Sequence, residues 1–243
     1  FAECGLALAD DELGARVDRE RFLALKAAAS RALGEPWLGL RIGLAAHPSA
    51  LDLYGAVISH ARTVGEAVRL GLEYAPLWEQ GPEMRVTTSD AGLSLVYLDP
   101  PHPDSLANTI DSQESVVFLA ALCHHLVGPV AAPTHGHFAC PRPPRGRYLD
   151  GLRALGCEPH FGGDEWRIDI PRPLLDRALP PTNPAVARLV RAHVDEQLRS
   201  TVGVAELPAR LDLAIRRGLA RRWGVAQVAR ALAMSPRTLQ QAL

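Results

Sequence analysis

Ser105 to Val127 reads as one long helix without a consistently polar side. Ile110, Val116, Val117, Leu119, Ala120, Leu122 and Leu126 spread further around it than the stripe of roughly 100° that a surface helix buries. Other elements must wrap such a segment, so it is expected to be the central buried helix of the fold. The chain of 243 residues is 47% hydrophobic. That is enough for one core of about 100–150 residues and a second, smaller unit.

Around that helix the pattern alternates between classes. Residues 10–46 carry helical spacing at Phe22, Leu23, Leu25, Leu33, Leu38, Leu40 and Ile42, with a break at Gly34-Glu35-Pro36 that makes two helices. Ser49 caps the next, Leu51 to Ala61, and Thr63 with Glu66 has capping-box spacing for a helix running to about Trp78. After Gly81-Pro82 the period shortens. Met84–Thr88 and Leu93–Leu98 flank Ser89-Asp90-Ala91-Gly92, a hairpin signature. Beyond the long helix come a strand at His135–Cys140, a short helix near Tyr148–Leu155, and a second expected hairpin in which Glu158–Phe161 and Glu165–Ile170 flank Gly162-Gly163-Asp164. The expected class is α+β: a helical N-terminal layer, an antiparallel β-sheet and the central helix, followed by an all-α helix-turn-helix segment.

Pro180-Pro181-Thr182-Asn183-Pro184 can continue neither a helix nor a central strand, so it reads as a connector. Ala185–Ser200 then places Val186, Leu189, Val190, Val194 and Leu198 at helical spacing. That stripe packs on its own body or on a second copy as a homodimer. The expected division is 1–183 for sensing and dimerisation, 184–203 as a helical connector and 204–243 as the helix-turn-helix unit.

Charge separates along the same line. Of 26 basic and 27 acidic residues, 10 arginines and four acids lie in 184–243, net +6, leaving 1–183 at net −7. An acidic body with a basic end fits a module that meets a polyanion, although a basic helix lying on the acidic body gives the same asymmetry. The 25 arginines against one lysine, Lys26, read as gene composition. No apolar run reaches the roughly 18–20 residues that span a bilayer, and the acidic opening FAECGLALADDELG is unlike a secretory signal. A cytoplasmic protein without membrane contact is expected. Cys4, Cys123, Cys140 and Cys157 are too dispersed for a disulfide scaffold and read as thiols. A start at Phe1 and an end at Leu243 inside a helical pattern are expected of a piece of a longer chain.

The basic end carries the chemistry. Val225, Val228, Ala229 and Leu232 mark one face of a short helix, with small Ala229 admitting a second helix closely. Ser235 suits an N-cap, and Pro236 suits the first helical position, where its missing N–H costs nothing. Leu239 and Leu243 then face inward, leaving Arg237, Thr238, Gln240 and Gln241 outward. Arginine can bond guanine O6 and N7, glutamine can bond adenine N6 and N7, and hydroxyls take phosphate. In this reading Arg237, Gln240 and Gln241 contact bases. Ser235, Thr238, Arg221 and Arg222 hold the helix on the backbone of double-stranded DNA, the two arginines lying on a preceding helix, Glu206–Trp223, that also carries Arg210, Arg216 and Arg217.

The run Val228-Ala229-Arg230-Ala231-Leu232-Ala233-Met234-Ser235-Pro236-Arg237-Thr238-Leu239-Gln240-Gln241-Ala242-Leu243 resembles the first of two helix-turn-helix units in the DNA-binding module of the AraC/XylS family. Residues 1–200 resemble that family's "arabinose-binding" regulatory domain through LDLYGAVISHARTVGEAVRLGLEYAPLW and LGCEPHFGGDEWRIDIPRPLLDRALP. The resemblance implies a transcription regulator whose N-terminal domain senses a small-molecule effector, with no enzyme activity and no cofactor. Gln241 and Ala242 stand where the family commonly has arginine after Leu-Gln, so one of its contacts is weakened or replaced. The family's two recognition helices sit about 34 Å apart on DNA; a chain with only the first is expected to bind DNA poorly.

For an effector pocket the aromatic and polar-ended candidates are Tyr54, His60, Tyr74, Trp78, Tyr97 and His102. Each is equally at home as a core or rim residue. A second reading takes Cys123, His124, His125, His135 and His137 as metal ligands, in a dimerisation module without autonomous DNA binding or in a metal-dependent enzyme. Adjacent residues on a helix point about 100° apart, so His124 and His125 do not converge easily on one ion. No HExxH, paired CxxC or nucleophile elbow is present, and the reading adopted is no metal and no catalysis.

Overall fold

The structure, a computed structural model, describes residues 17–78, 83–98, 105–128, 133–144, 146–203, 211, 214–215, 223–232 and 234–241. Four helices precede the first strand. Helix α1 (Arg19–Leu33) starts at Asp18, whose carboxylate accepts the Arg21 N–H, and ends at Gly34 in the left-handed conformation with φ 59°, as the Gly-Glu-Pro break requires. Helix α2 is Leu38–Leu44. A 3-10 turn at Pro48–Leu51 leads into α3 (Asp52–Ser59), and α4 runs Val64–Trp78. Glu66 reaches back to the Arg62 N–H at 2.9 Å, one residue further than a capping box would.

Strands β1 (Glu83–Ser89) and β2 (Gly92–Leu98) form the first hairpin, closing at Ser89 and Gly92. Gly92 has φ 152°, and a Cβ there would stand 2.2 Å from the Ile170 carbonyl oxygen, so the turn needs glycine. Helix α5 covers Ser105–Val127. Strand β3 (Thr134–Phe138), helix α6 (Arg147–Ala154), strand β4 (Cys157–Phe161), strand β5 (Trp166–Pro171) and the short α7 (Arg172–Leu175) follow. The chain closes with α8 (Pro184–Gly203), α9 (Val225–Ala231) and α10 (Pro236–Gln241).

The sheet order is β1-β2-β5-β3-β4, which corrects the expected second hairpin. Strands β4 and β5 are consecutive but not neighbours: β3 lies between them, antiparallel to β5 and parallel to β4. The sheet is therefore mixed, not wholly antiparallel. Helix α6 makes the crossover a parallel pair demands. The Gly162 N–H bonds the carbonyls of Phe138 and Cys140, so the glycine turn carries the chain across the end of β3. Turn chemistry marks where a chain reverses and says nothing about which strand it lands beside.

One face of the sheet is apolar and packs on α5. Leu95, Phe138, Cys157, Ile168 and Ile170 are buried, and the Tyr97 hydroxyl donates to the Ser115 carbonyl of α5 at 3.0 Å. On α5, Ala107, Ile110, Val116, Val117, Ala120, Ala121, Leu122 and Cys123 are buried, as expected of the central helix.

The chain assorts into two compact units: residues 1–50, 63–65 and 80–180, and residues 51–62, 66–79 and 181–243. The first holds the sheet with α1, α2, α5, α6 and α7. In the second, α4 and α8 are tied by Tyr74 donating to Asp195 at 2.7 Å and by Arg191 lying 3.8 Å from Glu66. Val194 and Leu198 on α8 are buried, while Val186 and Leu189 stay exposed. No described helix is long and apolar enough to cross a membrane.

Candidate functional site

Two polar constellations emerge. The first is the helical hairpin α9–α10. Gly224 precedes α9, and its N–H is taken by the Gln227 side chain at 3.0 Å. The turn is fixed by the Met234 N–H bonding the Ala229 carbonyl at 2.9 Å, and α10 opens with the Leu239 N–H on the Ser235 carbonyl at 3.0 Å. Ala229, Leu232 and Leu239 are buried with Ala214, and Leu211, Val228 and Met234 pack against them. Ala229 is fully buried, the close approach its small side chain allows. Val225, placed on that inner face by its spacing, is instead 51% exposed, because it opens the helix one turn before the packed residues.

Ser235, Pro236 and Arg237 are exposed at the start of α10. Thr238, Gln240 and Gln241 lie on the same helix, their side chains outside what the structure describes. Arg221, Arg222 and Leu243 fall outside the described residues.

The residues expected around an effector distribute over both units. In the helical unit, Tyr54 donates to the Gly71 carbonyl at 3.0 Å, His60 Nδ1 meets the Ala56 carbonyl at 2.7 Å, and Tyr74 is held by Asp195. Burial pushes the Tyr54 phenol well above its ordinary range. Tyr97 belongs to the sheet unit. Trp78 ends α4 with its side chain undescribed, and His102 lies outside the described residues.

The Cys/His series does not converge. Cys123 is buried on the core side, and burial pushes its thiol up to about 12. His125 sits beside Ala46 and His47, its ring 4.5 Å from that of His47. His135 and His137 project from the other face of the sheet. Among the described residues no group of three or more His, Cys, Asp or Glu could hold a metal ion.

That second sheet face is the other constellation. His137 Nε2 lies 2.9 Å from Asp169, whose other carboxylate oxygen accepts the Ser94 hydroxyl at 2.7 Å. Arg167 approaches the His137 ring at 3.1 Å and ion-pairs with Glu165 at 3.2 Å. His160 stacks on His137 with ring centroids 4.8 Å apart, and its Nε2 is 3.3 Å from His135 Nδ1. The signal was present as three polar pairs at alternate positions: His135/His137, Glu158/His160 and Arg167/Asp169. Only the pairing of β3 between β4 and β5 brings them together.

His137 is held below the ordinary imidazole range, chiefly by burial and then by the Arg167 charge, which together outweigh Asp169. The folded protein thus prefers the neutral ring, whereas the unfolded chain takes its proton near pH 6.5. Stability is therefore expected to fall as the pH drops below about 6.5, and His137→Gln to flatten part of that loss in urea melts across the pH series. His125, lowered by burial and by His47, contributes with the same sign. An unchanged slope in the variant would remove His137 from the account.

The family model described as "Arabinose-binding domain of AraC transcription regulator, N-term" matches residues 1–179. No curated protein matches. Among solved structures, the crystal structure of transcriptional regulator CdpR from Pseudomonas aeruginosa aligns at TM-score 0.50 and 19% identity, over 93% of this chain and 78% of that one. This last likeness is one of fold.

Proposed function

The chain belongs to the family of the arabinose-binding domain of AraC transcription regulators, and on that premise we propose that it is a one-component regulator that binds double-stranded DNA through residues 204–243. The observation that carries the reading is the packing of α9 on α10: Ala229, Leu232 and Leu239 turn inward while Ser235 and Arg237 remain exposed. This is the division a recognition helix needs. Arg237, Gln240 and Gln241 read base edges; Ser235, Thr238, Arg221 and Arg222 fix the register on phosphates.

In this reading residues 1–183 sense a small organic effector in the cytoplasm. Tyr54, His60, Tyr74, Trp78, Tyr97 and His102 remain the residues proposed to bind it. Helix α8 links that domain to the DNA-reading segment, and its exposed Val186 and Leu189 form the contact of a homodimer. An effector then acts by favouring one arrangement of the two reading heads over another.

The test, made on the full-length protein, is selection of duplexes from a random pool, followed by anisotropy titrations at several salt concentrations. A DNA reader must lose affinity steeply as salt rises. Arg237→Ala is expected to cost about 1–3 kcal/mol on a selected site and to relax preference at one base position. Equal loss on all duplexes would reassign Arg237 to phosphate. Absence of salt-dependent binding would leave a ligand-binding dimerisation module.

A further inference from the structure

The strand register lays the polar face of the sheet out in two rows. One runs Arg85, Val96, Arg167, His137 and His160 across β1, β2, β5, β3 and β4; the other runs Thr87, Ser94, Asp169, His135 and Glu158. His160, on β4, meets both histidines of β3. Its Nε2 is 3.3 Å from His135 Nδ1. Its ring centroid is 4.8 Å from that of His137 and 5.5 Å from that of His135, with planes 20° and 25° apart. Among the described residues no strand lies beyond β4, and its central Pro159 supplies no N–H to a ladder.

We propose that His135, His137 and His160 form a pH-operated catch that holds the edge strand β4 on β3 near neutral pH and releases it in acid. The first support is the bond between His135 and His160. A contact of two ring nitrogens needs one N–H and one bare lone pair. A single proton taken up by the pair leaves it intact, as imidazolium donating to imidazole. A second proton sets N–H against N–H, so the bond is lost and two stacked rings repel.

The second support is the charge around the rings. Arg167 lies 3.1 Å from His137 Nε2 and opposes a proton there, and Arg85 ends the same row beyond Val96. Asp169 is shared among His137, the Ser94 hydroxyl and Arg167, while Glu165 is engaged by Arg167. Glu158, exposed and opposite His135 in the register, offsets one imidazolium but not three. On its other face β4 carries the buried Cys157, and the Phe161 ring stacks on Phe138 at 4.7 Å. Those contacts do not titrate in this range, so release is a local opening of the edge and not unfolding of the sheet. The inference stands apart from the DNA-binding reading, since either can fail without the other.

The experiment is amide hydrogen exchange on the whole chain, read by mass spectrometry at about pH 7.5 and about pH 5, either side of the ordinary imidazole range, with rates corrected for the intrinsic effect of pH. Protection over Cys157–Phe161 is expected to fall about tenfold or more in acid, while α5 and the first hairpin keep theirs. His160→Gln carries a polar side chain that takes no proton. It should remove most of the acid-dependent fall, whatever its protection at the higher pH, and His135→Gln serves where that variant does not fold. His47→Gln should behave as the parent does. Equal protection of β4 at the two pH values overturns the proposal. A fall that persists undiminished in the doubly substituted His135→Gln/His160→Gln protein overturns it too, as does one shared in equal measure by α5, which would be global unfolding.

Discussion

Gly39→Ala is expected to destabilise the protein by about 1–2 kcal/mol, although alanine is the better helix former. The intrinsic gain from replacing glycine inside a helix is about 1 kcal/mol. Against it stands a steric conflict that cannot relax locally. A Cβ on Gly39 would lie 2.0 Å from the Ile110 carbonyl oxygen and 2.7 Å from Gln113 Cβ. Both belong to α5, and the first is backbone, so α2 would have to move away from the central helix. Gly43, one turn on, faces Val117 in the same way, with a Cβ at 2.6 Å. Gly39 and Gly43 thus form the seam by which α2 lies against α5. Overpacking of such seams typically costs about 1–3 kcal/mol and sometimes more. Urea melts of the variant should show a lower midpoint with little change in slope. A neutral or stabilising result would mean that α2 is free to shift and that the seam does not hold it.

That seam marks where sequence reading stops. The central helix was legible from end to end because its apolar positions leave no consistently polar side to face water, and Ser105–Val127 needed no knowledge of its neighbours. The first hairpin was legible because Ser89-Asp90-Ala91-Gly92 sets its own register. The glycines of α2 were not, since a glycine that admits a neighbour and a glycine that merely weakens a helix look alike until the neighbour is known. The same holds for the polar sheet face. Arg167 and Asp169 alternate in a way that predicts a strand, but that they meet His137 depends on β3 inserting between β4 and β5. In the helical hairpin, by contrast, cap, turn and packing residues fall within one short run, and Ala229, Leu232, Ser235, Pro236 and Leu239 all occupy the positions their chemistry demands. Local chemistry was readable in proportion to how little of it depends on distant strands.

Asp111→Ala is the second large effect, expected to cost about 3 kcal/mol or more, because it breaks a buried charge network at its hub. Asp111 is only 3% exposed. It accepts from Lys26 Nζ at 2.7 Å and from Arg19 at 2.8 Å, and Lys26 also lies 2.7 Å from Glu114. Burial by itself pulls the Lys26 ammonium down, yet Asp111 and Glu114 hold it above its ordinary value. Glu114 shows the strain on the acid side: burial raises it, the neighbouring Asp111 adds to the rise, and Lys26 only partly offsets them. Without Asp111, Lys26 keeps one partner and its burial, and the clamp of α1 onto α5 loses both cations' shared anchor. The lysine itself is informative. In a chain that otherwise uses arginine for every strong base, the single ammonium stands where two carboxylates close on a compact charge, a geometry that a planar guanidinium does not fill. Lys26→Arg is therefore expected to destabilise despite conserving charge, by less than Asp111→Ala. Because the pairs are buried, raising the salt concentration should leave the ranking of the variants unchanged. A loss below about 1 kcal/mol for Asp111→Ala would put the network in the class of surface ion pairs and refute its role as the clamp.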